Sequence, residues 1–554
     1  MIPISQPDTY NLRANSPDAF DVVVLGSGIA GLAAALAAHE GGLRPLLIEK
    51  TDRLGGTTAD SYGLIWVGNN HLMRAAGDAD RRDDIVAYME FLGGGELDEE
   101  RMLTLVDRSP EAIVFFERCG IPFRPVRGIV DHYFGVVPGA RGAGRTIEAD
   151  LISGLELGAW RDKVRTPENA PYYVTAEEQT AWGGINRFST WDPDVVSDRR
   201  TRDVRGKGAG LVTHFVKALA VRNIPIRLGQ SVERLWLRDD RVAGVTLPGG
   251  APPIAAHAGV IVATGGYEWN AELMRDFDPL PGLEPLSPPG LTGDGLIMAA
   301  EIGAAIRRIQ NNLNLMLGFW LRPDQPDAEP VKCMAGINEM CSPHTIVVNR
   351  MGERFADESY FQKVTPALRR FDTLTHSYPN LPCYLIFDSQ YAGNYAFAHL
   401  PIGTAIPQSV VRAKDLALLA RQLGIDPDGL ARTVARFNRF AAAGVDEDFG
   451  RGELQWRLAG GSKEPKTLGA IERPPFYGLQ LHPSLGTSSA GLLTNAHAQV
   501  IHQRRHPIPG LYASGVAAAR TELGAGYQAG LNLASAMTFS YLAVQHMLKS
   551  GHRA

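Results

Sequence analysis

The stretch DVVVLGSGIAGLAAALAAHEGGLRPLLIEK, residues 21–50, decides the fold class of this chain. It begins with the valine-rich run Val22–Leu25, which is typical of a strand buried inside a parallel sheet. Small apolar residues follow, and a second apolar run, Leu46–Ile48, ends at an acidic residue. This order predicts a β-α-β unit and therefore an α/β chain with a Rossmann-type domain.

Three glycines in this unit, Gly26, Gly28 and Gly31, have the spacing G-x-G-x-x-G. The first allows a tight turn, the second lets the backbone approach a pyrophosphate, and the third lets the helix pack on the strand. The free N–H groups of the helix then face the phosphates, and Glu49 accepts hydrogen bonds from ribose hydroxyls. The residues of this unit predicted to bind a dinucleotide are Gly26, Ser27, Gly28, Ala30, Gly31, Glu49 and Lys50.

Two further segments extend the predicted cofactor site. A second loop of glycines and hydroxyl residues, Gly55, Gly56, Thr57 and Thr58, follows the β-α-β unit directly, and a ligand larger than NAD would use it. A later strand breaks at Ala263, Thr264 and Gly265, which are also predicted to contact the cofactor. Val232, in a predicted edge hairpin, is either an adenine contact or an ordinary strand residue.

The bulk composition excludes several classes of protein. The chain has 554 residues, a length that predicts two or more domains, and its net charge of −5 with no basic run argues against a nucleic-acid partner. The four cysteines have neither disulfide-framework nor metal-ligand spacing, so we expect reduced thiols in a cytoplasmic protein and no metal site. Residues 1–20 lack the pattern of a signal peptide, and membrane contact is expected to be peripheral at most.

The motif order predicts a discontinuous cofactor domain. Residues 1–284 read as its first part, residues 285–469 as an inserted α+β catalytic domain, and residues 470–554 as its second part. Helices are predicted at Asp83–Leu92 and Asp98–Cys119, where apolar residues recur at helical spacing. The second part contributes the predicted cofactor contacts Gly515, Glu522, Asn532 and Leu533.

The ordered motifs resemble a known family. GSGIAG (26–31), GGTTADSYGLIWVGNN (55–70), VIVATGGY (260–267), VNRMGERFADES (348–359) and GAGYQAGLNLASAMTF (524–539) resemble the fumarate reductase/succinate dehydrogenase flavoprotein superfamily, and within it the 3-ketosteroid dehydrogenases. The resemblance implies FAD as the cofactor and a catalytic domain placed over the flavin. Members with covalent flavin have a histidine just after the second glycine loop, and residues 57–62 here contain none, which predicts non-covalent FAD.

Within this superfamily, the dicarboxylate chemistry of fumarate reductases needs an arginine and a histidine that are missing here. The segment expected to carry the arginine continues with Ser359, Tyr360, Phe361 and Gln362, and the segment expected to carry the histidine is LGTSSAGLL (485–493). One remaining arginine, Arg520, does not make a dicarboxylate clamp.

The resemblance to ketosteroid dehydrogenases instead implies a site built from phenols. Tyr527 matches the tyrosine that binds the ketone oxygen, together with the backbone N–H of Leu531 or, alternatively, of Gly530. Tyr360 matches the tyrosine that removes the α-proton while hydride passes to flavin N5, and Tyr133 matches a tyrosine that assists this base. Each of the three tyrosines has a structural alternative, as a core or interface aromatic residue.

The segment after Tyr527 departs from the Δ1 pattern, in which a proline–glycine run follows the tyrosine. Here the sequence is YQAGL, which resembles the Δ4-(5α)-ketosteroid dehydrogenases and members that act on unsaturated acids. The expected substrate is a 3-ketosteroid or a smaller cyclic ketone such as a cyclohexanone. The alternatives are a fumarate-reductase-like ene reductase and a non-catalytic flavoprotein, and no motif identifies the electron acceptor.

Overall fold

The structure is a computed structural model that describes residues 19–168, 170–312, 314–322, 330–334, 339–398, 400–453 and 467–550. The sequence prediction about a signal peptide therefore concerns residues that lie almost wholly outside the described part. Of the helices that are described, none combines the length and apolar character needed to cross a bilayer. All four cysteines are buried free thiols.

The described α-helices are α1 (Ile29–Glu40), α2 (Gly56–Asp60), α3 (His71–Ala75), α4 (Arg82–Gly93), α5 (Glu99–Arg118), α6 (Ala176–Ala181), α7 (Pro193–Thr201), α8 (Lys207–Val221), α9 (Ala271–Phe277), α10 (Asp294–Glu301), α11 (Phe361–Leu368), α12 (Ser389–Asn394), α13 (Leu416–Leu423), α14 (Pro427–Ala443) and α15 (Leu531–Lys549). Short 3₁₀ segments cover Gly154–Lys163, Ile185–Thr190 and Gly515–Ala517. Helices α4 and α5 begin and end within one residue of the predicted bounds.

The described strands are β1 (Ala19–Leu25), β2 (Pro45–Ile48), β3 (Ile65–Trp66), β4 (Phe123–Pro125), β5 (Thr146–Ala149), β6 (Ile152–Ser153), β7 (Val204–Arg205), β8 (Ile226–Arg227), β9 (Arg234–Arg238), β10 (Arg241–Thr246), β11 (Ile254–Val262), β12 (Glu284–Pro285), β13 (Ile306–Arg308), β14 (Leu315–Leu321), β15 (Val331–Met334), β16 (Thr345–Asn349), β17 (Cys383–Asp388), β18 (Val411–Ala413), β19 (Phe476–Leu485), β20 (Ala490–Leu492), β21 (Gln499–Ile501) and β22 (Pro507–Ala513).

The first sheet joins both ends of the chain. Its order is β21-β22-β11-β1-β2-β8, and the hairpin β9–β10 is attached to the edge of β11. Strand β1 pairs in parallel with β2 on one side and with β11 on the other, so that Val24 lies between Leu47 and Ile261. Strand β22 then pairs in parallel with β11. This doubly flanked parallel arrangement explains why β1 is apolar on both faces, and it confirms the predicted α/β fold class.

The glycine motif packs helix α1 onto this sheet. A Cβ atom on Gly31 would lie 1.8 Å from the carbonyl oxygen of Gly26, and Gly26 itself has φ +97°. Neither position accepts a side chain without moving the backbone. Helix α15, from the C-terminal part of the chain, packs against α1, where the Ser540 hydroxyl donates to the Ala30 carbonyl oxygen at 2.8 Å.

The second sheet has the order β15-β14-β19-β17-β16, and β12 and β18 pair with β19 in addition. Its central strand is β19, Phe476–Leu485, which places these residues in the catalytic domain and not in the cofactor domain. The chain returns to the first sheet only at β21. The domain boundary at residue 470 stays a prediction, and the sheet to which β19 belongs was not readable from the sequence, because the pairing partners of an apolar strand are not encoded in its local pattern. At the other boundary, β12 lies at the predicted position 285.

Candidate active site

A cavity of 1560 Å³ lies at the carboxyl ends of β1 and β11. Residues of both sheets contribute to its wall, since Leu25 of β1 and Met316 of β14 both line it. Single small-molecule pockets are typically about 300–1,000 Å³, so this cavity has room for a dinucleotide and a second ligand together. Ligands of open α/β sheets bind at this end of the strands.

The structure places most predicted cofactor residues on the wall of this cavity. Those that line it are Gly26, Ser27, Gly28, Ala30, Glu49, Lys50, Gly56, Thr57, Thr58, Val232, Ala263, Thr264, Gly265, Gly515, Asn532 and Leu533. Gly31, Gly55 and Glu522 do not line it. Gly31 instead allows helix α1 to pack closely on the first sheet, because it has no Cβ atom to collide with the Gly26 carbonyl oxygen. Gly55, in the left-handed conformation with φ +116°, donates its N–H to the Ser27 hydroxyl at 3.1 Å and so joins the two glycine loops.

The carboxylate of Glu49 is held in a fixed orientation. One oxygen accepts from the N–H and the hydroxyl of Ser27 at 3.0 and 2.7 Å, and the other accepts from the N–H and the hydroxyl of Thr51 at 2.8 and 2.9 Å. These four hydrogen bonds match the about four lone-pair sites of a carboxylate. The ribose contact of Glu49 stays a prediction, and Lys50 beside it is already paired with Asp294 at 2.7 Å.

Two helix N-termini face the same cavity without side-chain caps. Helix α1 begins after Gly28, where the Ile29 N–H donates to the Thr58 hydroxyl at 3.1 Å. Helix α15 begins after Gly530, so Asn532 and Leu533 lie in its first turn. The positive end of each helix stabilises negative charge, which matches a pyrophosphate at α1 and the flavin at α15. The residues present therefore fit FAD.

Glu522 has a different role from the predicted cofactor contact. Its side chain is buried and forms an ion pair with Arg101 at 2.7 Å, and it also accepts a hydrogen bond from the Ser535 hydroxyl. Arg101 in turn lies over the ring of Phe539 at 3.9 Å. Glu522 thus links α15 to α5 and helps to fix the position of α15 without lining the cavity itself.

The three predicted tyrosines form one cluster. Tyr527 lines the cavity together with His132 and Phe361, whereas Tyr133 and Tyr360 do not line it. The rings of Tyr133 and Tyr360 are 5.5 Å apart, and His132 lies between Tyr360 and Tyr527, with centroid distances of 6.1 and 5.4 Å. Phe361 packs on Tyr527 at 5.5 Å. Residues that are far apart in the chain therefore form one aromatic cluster.

The three phenols differ in exposure and share a raised pKa. Burial raises the pKa of Tyr527 to about 12, the neighbouring Tyr62 raises it further, and Arg520 opposes the shift. Tyr360 is fully buried, and burial and the adjacent Tyr133 raise its pKa well above the usual value. Burial also raises the pKa of the half-buried Tyr133, whereas the neighbouring Tyr360 opposes this shift. All three tyrosines are therefore neutral near pH 7.

Of the two predicted backbone donors, the structure favours Gly530. The N–H of Leu531 already donates to the Gln528 carbonyl oxygen at 3.1 Å, and its buried side chain does not line the cavity. Gly530 lines the cavity, and within the described residues its N–H has no protein acceptor. The Tyr527 hydroxyl likewise has no protein partner in the described part of the chain. These two groups form the candidate site for a ketone oxygen.

The residue after Tyr527 explains the departure from the proline–glycine pattern. Gln528 is buried, and its side-chain oxygen accepts from the Tyr88 hydroxyl at 2.7 Å and from the backbone N–H of His132 at 2.9 Å. It therefore fixes the backbone on which Tyr527 sits to the segment that carries His132 and Tyr133. A proline has no side-chain acceptor for these donors.

Sequence reasoning missed some residues of this end of the cavity. Tyr62, Gln179 and Lys207 line it together with His132, whose Nδ1 contacts Gln362 Nε2 at 2.8 Å. Burial lowers the pKa of His132 to about 3, so its ring is neutral. Tyr62 lies just after the second glycine loop, so the sequence placed it near the predicted cofactor site. Nothing in the local pattern indicated that its side chain or that of Lys207 would line the cavity.

Comparison with known proteins places these features in a family. A family model described as an FAD binding domain matches residues 21–533. The chain is 34% identical over 543 residues to the 4-oxocyclohexanecarboxylate 2-dehydrogenase of Sinomonas cyclohexanicum, covering 95% of this chain and 92% of that protein. It is 31% identical over 577 residues to the 3-oxosteroid 1-dehydrogenase of Mycobacterium tuberculosis strain H37Rv, covering 95% of this chain and 98% of the relative.

A solved structure agrees with these relatives. The 3-ketosteroid delta1-dehydrogenase of Sterolibacterium denitrificans, in complex with 1,4-androstadiene-3,17-dione, superposes with a TM-score of 0.84 at 28% sequence identity. The match covers 96% of this chain and all of that chain. The similarity therefore extends over both the cofactor and the catalytic domains.

Proposed function

This chain belongs to the FAD binding domain family and is an FAD-dependent oxidoreductase, and from that premise we propose that it desaturates a cyclic ketone next to the carbonyl group. The observation that carries the proposal is the cluster of Tyr133, Tyr360 and Tyr527, of which Tyr527 lines the cofactor cavity. FAD, when bound, supplies the acceptor for a hydride. We also propose that it is held non-covalently and that the protein is cytoplasmic.

The ketone oxygen is held by two donors, the Tyr527 hydroxyl and the Gly530 N–H. Both strengthen their hydrogen bonds as negative charge develops on that oxygen, in the manner of an oxyanion hole. The raised pKa of Tyr527 keeps its hydroxyl protonated, so it remains a donor throughout the neutral range. Polarisation of the carbonyl makes the α-hydrogen acidic enough to be removed by a weak base.

Tyr360 accepts that proton with the help of Tyr133. Because Tyr360 is fully buried and its pKa is raised, it cannot accumulate as a free phenolate near neutral pH. Its ring lies against that of the half-buried Tyr133, with centroids 5.5 Å apart, so the Tyr360 proton is proposed to move outward to Tyr133 while the substrate proton arrives. The proposed base is therefore the pair of phenols, in which Tyr133 is the more exposed member.

Fumarate-type reduction is not supported at this site. The arginine that acts electrostatically on Tyr527 is Arg520, whose guanidinium donates to the Asn312 side-chain oxygen at 2.8 Å. Arg520 is buried and does not line the cavity. It is placed to support the loop before α15, not to bind a dicarboxylate.

Anaerobic flavin reduction tests the proposal directly. The FAD-loaded protein is mixed with androst-4-ene-3,17-dione, with cyclohexanone and with substituted cyclohexanones, and the loss of flavin absorbance is followed. We expect at least one saturated cyclic ketone to bleach the flavin and to lose two hydrogens by product mass. Flavin that stays oxidised with every ketone in the panel would exclude this function.

A further inference from the structure

Lys207 is a buried amine on the wall of the cavity, and burial lowers its pKa to about 7, so that a nearby anion would stabilise its charged form. Its residue is 6% exposed, and its Nζ donates to the Pro171 carbonyl oxygen at 2.8 Å and to the Gln179 side-chain oxygen at 2.5 Å. Both acceptors are neutral. Among the described residues, no carboxylate oxygen lies within 4.0 Å of this nitrogen.

A buried ammonium group without an anion is costly, and proteins normally pair such groups. Glu148 is the acidic residue that acts on Lys207 electrostatically, but its carboxylate already accepts the N–H groups of Ala176 at 2.6 Å and Glu177 at 3.2 Å. It serves to cap helix α6. The missing partner of Lys207 is therefore expected on the cavity side.

The backbone at Lys207 is also held in an unusual conformation. Lys207 begins helix α8 with φ +52°, a left-handed value that costs a non-glycine residue about 1–2 kcal/mol. The packing around it explains why this is tolerated, since Gly63 and Gly208 leave no room for Cβ atoms beside this turn. Such strain is often found where a side chain must be aimed at a ligand.

Tyr62 connects Lys207 to the ketone site. Its ring centroid lies 4.9 Å from Lys207 Nζ, and its hydroxyl is hydrogen-bonded to Gln179, the same residue that holds the lysine. On its other side Tyr62 is close enough to Tyr527 to raise the pKa of that phenol. The cation and the ketone-binding hydroxyl thus flank one aromatic side chain in a common cavity.

The other two lysines that line the cavity are already paired. Lys50 is bound to Asp294 at 2.7 Å and Lys332 to Glu284 at 3.0 Å. The charge of each of these two lysines is therefore already balanced by a carboxylate. Lys207 differs from both of them in having only neutral partners.

We propose that Lys207 binds a carboxylate carried by the substrate on the ring position remote from the ketone, so that the substrate is a monocyclic keto acid. This inference rests on the proposed function, because it takes Tyr527 as the ketone site. A neutral steroid would leave the buried ammonium without an anion. A cyclohexanone ring with a carboxylate opposite the ketone satisfies Lys207 and Tyr527 at the same time.

The test compares an acid with its neutral equivalent. Anaerobic flavin reduction by 4-oxocyclohexane-1-carboxylate and by its methyl ester is measured for the FAD-loaded wild type and for Lys207→Met. We expect the acid to half-saturate the wild type at a concentration roughly 10- to 100-fold lower than the ester, as the loss of one charge-assisted hydrogen bond predicts. Lys207→Met should remove this preference and leave the ester within about threefold of the wild type, while Lys207→Arg should retain part of it.

A binding measurement makes the inference testable without turnover. Cyclohexanecarboxylate, which has no ketone, is titrated into the oxidised protein, and its dissociation constant is read from the change in the flavin spectrum. Lys217→Met is the matched control, since Lys217 is on the same helix but is partly exposed and paired with Glu156 at 2.6 Å. The control should bind the acid like the wild type, whereas Lys207→Met should bind it at least 10-fold more weakly.

The outcomes separate the two proposals. If neutral ketones reduce the flavin but the acid shows no advantage and no dependence on Lys207, the keto-acid inference is overturned and the dehydrogenase function stands. If no ketone reduces the flavin but cyclohexanecarboxylate binds in a Lys207-dependent way, the function is overturned and the anion site stands. FAD content and melting temperature of each variant show whether it is folded, and Lys207→Arg replaces Lys207→Met if the latter fails to retain FAD.

Discussion

Tyr133 and Tyr360 meet edge to face, with ring centroids 5.5 Å apart and an angle of 89° between the rings. Tyr360 is inaccessible to solvent, whereas Tyr133 is half-buried. The neighbouring Tyr133 contributes to the raised pKa of Tyr360. The half-buried phenol therefore lies directly against the buried one, and this relationship underlies the proposed proton transfer.

Replacing Tyr360 by Phe should slow the reductive half-reaction by roughly 100-fold or more, because a positioned acid–base group contributes about that factor. Ketone binding should change little, since the carbonyl donors Tyr527 and Gly530 remain. Tyr133→Phe should cause a smaller loss. Rapid-mixing absorbance at saturating ketone measures the rate.

Tyr541→Phe is the control for this pair, because its hydroxyl contacts Glu111 outside the cavity. It should reduce flavin at the wild-type rate. A Tyr360→Phe variant that also keeps the wild-type rate would remove Tyr360 from the mechanism.

Replacing Tyr527 by Phe should lower kcat/KM for the ketone by about 100- to 1,000-fold, the usual cost of removing one oxyanion-hole donor. The protein should still bind FAD, because the cofactor contacts of α1 and α15 are unaffected. Steady-state rates with an artificial electron acceptor, together with the flavin content, report the two effects separately. Unchanged kcat/KM would show that the ketone lies elsewhere in the cavity.

Replacing Gly530 by Ala should destabilise the protein and reduce its FAD content. The residue has φ +95°, and a Cβ atom there would lie 2.6 Å from the Trp66 backbone nitrogen. The left-handed conformation alone costs about 1–2 kcal/mol for a non-glycine residue. Gly393→Ala is the control, since a Cβ atom there meets nothing within 4 Å. Equal melting temperatures for the two variants would contradict this account of the turn.

Replacing Glu339 by Gln should change how stability depends on pH. Burial raises the pKa of Glu339 from 4.5 to about 7, and its Oε1 accepts the Ala398 N–H at 3.0 Å. Because the folded state holds the proton more tightly, the stabilisation from this group is complete below pH 4.5 and is lost as the pH rises through about 7. The variant should therefore gain stability relative to the wild type between pH 5 and pH 8, by at most roughly 3 kcal/mol.

Melting temperatures of both proteins across that pH range measure this difference. Glu301→Gln, at an exposed position, should show no such trend. A constant difference between Glu339→Gln and the wild type would mean that Glu339 ionises normally in the folded protein.

Much of the cofactor domain was predictable because its signals are local. The turn at Gly26, the close approach at Gly31 and the acid at Glu49 follow from backbone sterics and spacing within 30 residues. The tyrosines proposed to be catalytic were found only through resemblance of short motifs, because a tyrosine in isolation has no pattern that separates a catalytic residue from a core one. For a related reason, the sequence did not show to which sheet β19 belongs, since its apolar pattern fits a strand of either sheet.

By itself, the sequence determined the α/β class and the glycine turn of the predicted dinucleotide site, since each depends on interactions between near neighbours in the chain. Only the tertiary structure decided which groups face one another. In the folded protein, Glu522 forms an ion pair with Arg101, and the Leu531 N–H donates within a turn. Gly530, whose N–H has no acceptor among the described residues, lines the cavity. The tertiary structure also brought Lys207 beside Tyr62 without a carboxylate partner. These contacts depend on long-range packing. Residues hundreds of positions apart in the chain determine which groups are buried and which donors and acceptors find a partner.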